Sequence, residues 1–241
     1  MTFRRIIPAF LGLLLFLGGI LVSLTLSGNL LWGEMEARLY VQQSGVEGLK
    51  IGCPLMIAPW ETATVSTIIT NTLTDKDTKP QVNAFISTVR EARVDTKTLM
   101  LAPLESQPLQ WTVDRSDVVF DRLILVNILQ RPYDDLVSRQ GACSILIFSL
   151  FGLNGGQSLG ALVAMGVSAS LIGAGLLFYL YHPFTDFTKK AAQMNAVFLC
   201  MVLAGLFSAL PRLWGLTILL DGLALLTFTV IVTETVLFPQ K

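Results

Sequence analysis

The run from Ile6 to Leu26 constrains the chain most, because it holds 21 residues without a charge. A helix of ~20 apolar residues crosses the ~30 Å hydrocarbon core of a bilayer. Arg4 and Arg5 precede the run. A secretory leader also begins basic, but its apolar stretch is ~7–15 residues and ends at a small-residue cleavage site. The reading is therefore an uncleaved anchor, and its arginines place the N-terminus in the cytoplasm. Three more runs have span character: Gln157 to Tyr181, Ala196 to Leu210 and Leu216 to Phe238. Pro211 to Trp214 joins the last two tightly, as in a helical hairpin.

Four spans return the C-terminus to the cytoplasm, with Lys189, Lys190 and Lys241 on that side. The expected organisation is a cytoplasmic N-terminus and first span over 1–27, then a juxtamembrane segment over 28–49. A domain outside the cell or inner membrane covers 50–153. The second span covers 154–182, a cytoplasmic loop 183–194, and the hairpin of third and fourth spans 195–241. Leu31, Met35 and Leu39 have helical spacing, which predicts a short juxtamembrane helix. Charged residues are only 14% of the chain and the net charge is zero. The zero balance gives no basic excess for a nucleic-acid partner.

Segment 50–152 has the period-two alternation of half-buried strands. It shows at Ala63, Val65, Thr67, Ile69; at Val82, Ala84, Ile86; at Leu109, Trp111, Val113; and at Leu123 to Ile128, where both faces are apolar. Turn clusters separate these runs, at 71–80, 102–103, 114–117 and 132–135. Ser144 to Leu153 is too short to span and reads as a final strand running into the second span. About seven short strands at this spacing suggest a β-sandwich.

Leu55 to Thr62 (LMIAPWET) echoes Leu99 to Ser106 (LMLAPLES). Each copy is a strand, an Ala-Pro turn, an acidic residue, a hydroxyl residue and a further strand. This pattern over residues 50–152 resembles the immunoglobulin-like modules of the CARDB and fibronectin-related kind outside bacterial membranes. The resemblance implies an all-β immunoglobulin-like sandwich that binds, spaces or scaffolds, without activity of its own. The fold class expected for the whole chain is four transmembrane helices plus that sandwich.

Chemistry-bearing motifs are few. A lone histidine, His182, at the inner end of the second span cannot build a metal site or a Ser-His-Asp triad. Asp75 and Asp77 fail the calcium-loop pattern, since Pro80 stands where glycine is needed and Ile86 at the twelfth position. Asp134 and Asp135 read as a surface turn. Gly155 to Gly160 has no lysine for a phosphate loop. The expectation is no enzyme, no cofactor and no metal.

Cys53 and Cys143 flank the strand region, and both fall outside, where disulfides persist. They are expected to bond. Cys200 lies in the third span as a small apolar residue. Gly19, Ser23 and Ser27 repeat every four residues on the first span, and Gly166, Ser170 and Ala174 on the second. Such spacing lets helix backbones approach closely. Asp221, inside the fourth span, is costly there and is expected to face other spans, with Ser208, Thr217 or a serine of the first two spans as partner.

The function expected from all this is a multi-pass membrane scaffold or accessory subunit, in contact with lipid, whose outside domain binds or positions a protein. The alternative is a small permease-like subunit, because one span, an outside domain and three further spans is also the topology of MacB- and FtsX-type transporters. Residues 182–194 would then couple to a cytoplasmic ATPase.

Overall fold

The structure is a computed structural model and describes residues 3–40, 46–89, 91–132, 136–180 and 186–233. The chain divides into two compact units, Met1–Leu31 with Gly160–Lys241, and Trp32–Leu159.

The first unit is helical. Helix α1 runs Phe3–Leu39, α2 Gly155–Leu180, α3 Asp186–Ala209 and α4 Trp214–Val232. Each contains a stretch long and apolar enough to cross a membrane: Ile7–Leu39, Gly155–Leu180, Ala192–Ala209 and Trp214–Ile231. Phe16 and Ile20 of α1 share a core with Phe198, Leu199 and Val202 of α3 and Ala224 of α4. The α3–α4 turn closes on hydrogen bonds from Arg212 N to the Ala209 carbonyl and from Leu213 N to the Ser208 carbonyl.

Two expected boundaries move. Residues 28–39 are not a separate juxtamembrane helix but the continuation of α1, whose 37 residues rise about 55 Å. No proline interrupts this stretch, and Glu34 to Leu39 are good helix formers. The loop expected over 183–194 is helical from Asp186 onward, so Lys189 and Lys190 belong to α3. Residues 181–185, with His182, lie outside the described residues, as do Asp134, Asp135, Glu234 and Lys241.

The second unit holds two sheets. Strands β1 (Val46–Glu47), β3 (Met56–Ile57), β5 (Gln81–Ile86), β6 (Arg93–Thr98), β8 (Leu123–Gln130) and β9 (Arg139–Ile147) form one, in the order β1-β9-β8-β5-β6, with β3 also on β9. Strands β2 (Ile51–Gly52), β4 (Ala63–Thr70) and β7 (Ser106–Val113) form the other, in the order β2-β4-β7. All pairs are antiparallel except β1–β9 and β3–β9. One buried core draws on both sheets, including Val65, Ile69, Trp111 and Val113 from one and Val82, Ile86, Val126 and Ile145 from the other.

Strand β6 escapes the alternation signal because its side chains are mostly exposed and polar. It is a sheet edge, where charge discourages pairing with other chains. Its Arg93 and Lys97 donate to the Thr112 and Gln110 carbonyls of β7, at 2.9 Å each, tying the two sheets along one side.

All eight residues of β8 are buried. Ile124, Val126 and Ile128 face the core between the sheets. On the other face the end of α1 packs: a Cβ added at Gly33 would lie 2.7 Å from Ser144 Oγ and 3.1 Å from Leu123. Ala37 is fully buried, and Trp32 meets the Phe120 ring at 5.4 Å. Residues 50–153 carry strands β2 to β9 and one short 3-10 turn, Arg115–Asp117. The compact unit includes a helical segment from Trp32 to Leu39, and it extends to the first turn of α2.

Candidate functional site

The two small-residue stripes meet inside the helical unit. A Cβ at Gly19 would collide with the backbone of Ser170, and one at Gly166 would lie 2.7 Å from Ser23 Oγ. Ser23 and Ser170 are buried, and their hydroxyls donate to the Gly19 and Gly166 carbonyls four residues back, at 2.9 and 2.7 Å. Their polarity is thereby absorbed within each helix, leaving smooth surfaces for backbone approach. Ala174 packs at the edge of the core around Phe16 and Ile20.

Ser27 departs from its stripe. Its hydroxyl donates to Asp221 Oδ2 at 3.0 Å, joining α1 to α4. The other carboxylate oxygen, Oδ1, is enclosed and has no hydrogen-bond partner. Gly205 of α3 packs directly on that oxygen, where any Cβ would collide. Ser208 and Thr217 do not reach the carboxylate. Their hydroxyls pair with each other at 2.8 Å, and each also bonds a carbonyl of its own helix or turn, that of Gly205 or Leu213. One serine, one aspartate and one glycine from three helices therefore form a small polar centre in otherwise apolar surroundings.

In the β unit, Cys53 and Cys143 are bonded, with Cα atoms 6.8 Å apart. Cys53 follows β2 and Cys143 lies in β9, so the bond joins the two sheets. Cys200 is a free thiol on the exposed side of α3.

The repeated APxE segments fold as the same turn. In each, the glutamate N–H donates to the alanine carbonyl, at 3.0 Å for Glu61 and 3.1 Å for Glu105. In each, the alanine N–H donates to the glutamate Oε2, at 2.7 Å. The copies differ in one contact: Glu61 Oε2 also accepts from Gly155 N, at 2.8 Å, and so caps the start of α2. The second turn is instead held by Asn71, wholly buried, whose Nδ2 donates to the Lys76, Leu101 and Ala102 carbonyls while Oδ1 accepts from Leu73 N.

Asp117 is buried, with Arg93 at 3.4 Å and the Asp114 N–H at 3.1 Å. Burial pushes its carboxyl above the usual aspartate value, outweighing the lowering by that N–H and by Arg93. The exposed Asp114 goes the other way, lowered by hydrogen bonds from the Ser116 side chain and backbone.

A feature the sequence reading missed lies on the α1 face of the larger sheet. A cavity of about 130 Å³ is lined by Arg38, Leu49, Asn127, Gln140 and Ala142, with Gly48 and Gly141 completing it. Asn127 is 2% exposed, and neither its Oδ1 nor Gln140 Oε1 has a hydrogen-bond partner. The signal was present: Asn127 is an amide flanked on both sides by apolar residues in the run LILVNILQ.

Among the described residues no three His, Cys, Asp or Glu side chains gather to hold a metal ion. Comparison with known proteins returned no match: no protein-family model and no curated protein aligns with the chain.

Proposed function

We propose that the chain is a multi-pass membrane scaffold, a non-enzymatic subunit whose β domain lies outside the cytoplasm and holds a partner protein. The reading takes both termini as cytoplasmic and the β unit as an immunoglobulin-like sandwich. A core shared by two sheets, an inter-sheet disulfide and a buried Trp111 in that core support the sandwich.

Leu104 is the observation that carries the binding role. It sits in the second APxE turn at φ 60° and is 63% exposed. The left-handed region costs a bulky residue roughly 1–2 kcal/mol, and glycine would occupy it freely. The turn holds it there through Leu104 N to the Leu73 carbonyl and through both Glu105 bonds. Four residues earlier Met100 is 68% exposed. A strained backbone that displays an apolar side chain to water gains nothing in the isolated domain and suits a contact surface.

The test is retention of a stoichiometric partner when the full chain is purified from its membrane in mild detergent. Leu104→Gly with Met100→Ser should leave the chain folded, with equal or greater thermal stability, and should lose the partner. Retention of the same partner at the same stoichiometry would refute this surface. The permease-like reading draws instead on Asp221, whose unpartnered oxygen lies among three helices. An ATPase that stays bound to the double variant would favour it.

A further inference from the structure

We propose that one end of the β unit is a lipid-contacting collar, in which Trp60, Phe120 and Phe151 enter the headgroup layer of the bilayer that the helices cross. The collar rests on the multi-pass reading above. Among the described residues of this unit the exposed aromatic side chains are Trp60, Phe120, Phe148 and Phe151. Backbone bonds bring the segments that carry them to one end. Phe148 N donates to the Ile57 carbonyl at 3.0 Å, and Ile147 N to the Arg122 carbonyl at 2.7 Å. Trp60 follows Ile57 by three residues, Phe120 precedes Arg122 by two, and Phe151 follows Phe148 by three.

The same end carries both connections to the apolar helices. Trp32 lies in the stretch Ile7–Leu39, and its ring meets that of Phe120 at 5.4 Å, with the Arg122 guanidinium 5.0 Å over it. Gly155 opens the stretch Gly155–Leu180, and its N–H donates to Glu61, the residue after Trp60. Both stretches are long and apolar enough to cross a membrane. These contacts set the exposed rings beside the ends of two such stretches. After Arg5 the first charged residue of α1 is Glu34, two residues beyond Trp32, so the uncharged run of that helix ends at the collar. Aromatic rings with a polar edge concentrate where hydrocarbon gives way to water. Arg122 adds a cation whose stem can pack on the rings while its head stays among lipid phosphates.

Two turns at this end hold phenylalanine in the left-handed backbone region. Phe120 has φ 52° in the tight turn closed between Val119 and Leu123, and Phe151, 93% exposed, has φ 50° before Gly152. Glycine would occupy either position freely, and a bulky apolar side chain displayed there gains nothing in water. The repeated turn adds a direction. Trp60 and Leu104 hold the same place in LMIAPWET and LMLAPLES. The strands that follow them are antiparallel, with Ala63 opposite Val113 and Thr70 opposite Ser106. Trp60 and Leu104 therefore stand at opposite ends of an eight-residue strand pair, a length of about 24 Å. One copy of the turn faces lipid, and the other presents the partner surface of Leu104 and Met100 away from it.

The experiment places single nitroxides on the full-length protein in phosphatidylcholine vesicles, through Trp60→Cys, Phe120→Cys and Phe151→Cys in a Cys200→Ser background that keeps the Cys53–Cys143 bond. Collisions with oxygen, which concentrates in lipid, and with a nickel chelate, which stays in water, are measured for each label. Leu104→Cys is the aqueous control, and Ile172→Cys, at an exposed position of α2, the lipid control. The three collar labels should show an oxygen-to-nickel ratio several-fold above that of Leu104→Cys and below that of Ile172→Cys. Positions 60 and 120 decide the matter, because continuity with α2 would by itself bring only position 151 to the membrane. Aqueous ratios at 60 and 120 with a lipid-exposed Ile172→Cys would overturn the collar and leave the multi-pass reading standing. A water-accessible Ile172→Cys would overturn both. Labels at 60 and 120 shielded from both reagents would overturn the collar in favour of a protein contact. Trp60→Phe gives a second readout that keeps an aromatic ring in place. The fluorescence it removes from the wild type should be quenched by phosphatidylcholine brominated near the head of the acyl chain, and no quenching would overturn the collar.

Discussion

The Glu61 carboxylate fastens Gly155, accepting its N–H at 2.8 Å while the same oxygen accepts from Ala58 N at 2.7 Å. One carboxylate thereby fixes a turn of the β unit and satisfies an otherwise free N–H at the start of α2, where negative charge is favoured. Gly155 is suited to this place, since a Cβ there would collide with the backbone of Met56 and Ile57. Glu105 makes the equivalent turn bond without the helix contact. Glu61→Ala should therefore destabilise the β unit by about 1.5–3 kcal/mol and Glu105→Ala by about 0.5–1.5. Thermal melts of the two variants side by side check this, and equal losses would show that the helix cap contributes nothing.

The disulfide closes a loop with a sequence separation of 90 residues. In the chain-entropy account a loop of that length is worth roughly 4–5 kcal/mol, less whatever the folded geometry gives back. Cys53→Ala with Cys143→Ala should lower stability by about 2–5 kcal/mol, and reductant should destabilise the wild type but not the variant. Non-reducing gel mobility with and without dithiothreitol, alongside the melts, measures both effects.

Asp114 and Asp117 respond oppositely to pH. Asp117 has its folded pKa raised above the usual 3.8 by burial, so its contribution is full below that value and falls as pH rises through the folded pKa. Asp114 has its folded pKa lowered from 3.8, so its contribution is present above that value and is lost as pH falls through the folded pKa. Relative to wild type, Asp117→Asn should gain stability as pH rises from about 3.8, and Asp114→Asn should lose its deficit only on the acid side. Stability-versus-pH curves for the two variants should diverge from wild type in opposite senses, and parallel curves would refute the assignment.

The strands that alternate were legible in the sequence, as were the four helices long and apolar enough to cross a membrane and the cysteine pair. What covers β8 was not. LILVNILQ shows that both faces are apolar, but the second face is buried by residues 32–39 of α1, nearly ninety positions earlier in the chain. Periodicity reports how much of a strand is buried and carries no information about its neighbour. The same limit hid the cavity, because Asn127 and Arg38 become neighbours only when α1 lies on the sheet. β6 was missed for the opposite reason: an edge strand of charged and hydroxyl residues has no apolar period to read. The echo LMIAPWET and LMLAPLES did report a shared turn, since its bonds are local to four residues.

Asp221 separates the two functional readings. Its Oδ2 accepts from Ser27 while Gly205 lies against Oδ1, so the carboxylate is held between α1 and α3 with Oδ1 enclosed by protein. Asn keeps the shape and an acceptor for the Ser27 hydroxyl, and it removes the charge and the titratable proton. Leu removes both and strands Ser27, which can still turn to the Leu24 carbonyl at 3.2 Å. For a structural link the expected result is normal assembly of Asp221→Asn and a loss of about 0.5–2 kcal/mol in Asp221→Leu, the range of hydrogen bonds between membrane helices. Gly205→Ala should cost at least as much, because its methyl must displace the carboxylate or part α3 from α4. For a transport role the pattern differs: Asp221→Asn should fold and assemble as wild type yet lose ion- or proton-coupled flux in proteoliposomes. Reconstitution of the wild type and Asp221→Asn, with assembly measured on the same samples, distinguishes the two. Flux lost by Asp221→Asn with assembly intact would reject the scaffold, and equal behaviour in both assays would reject the permease.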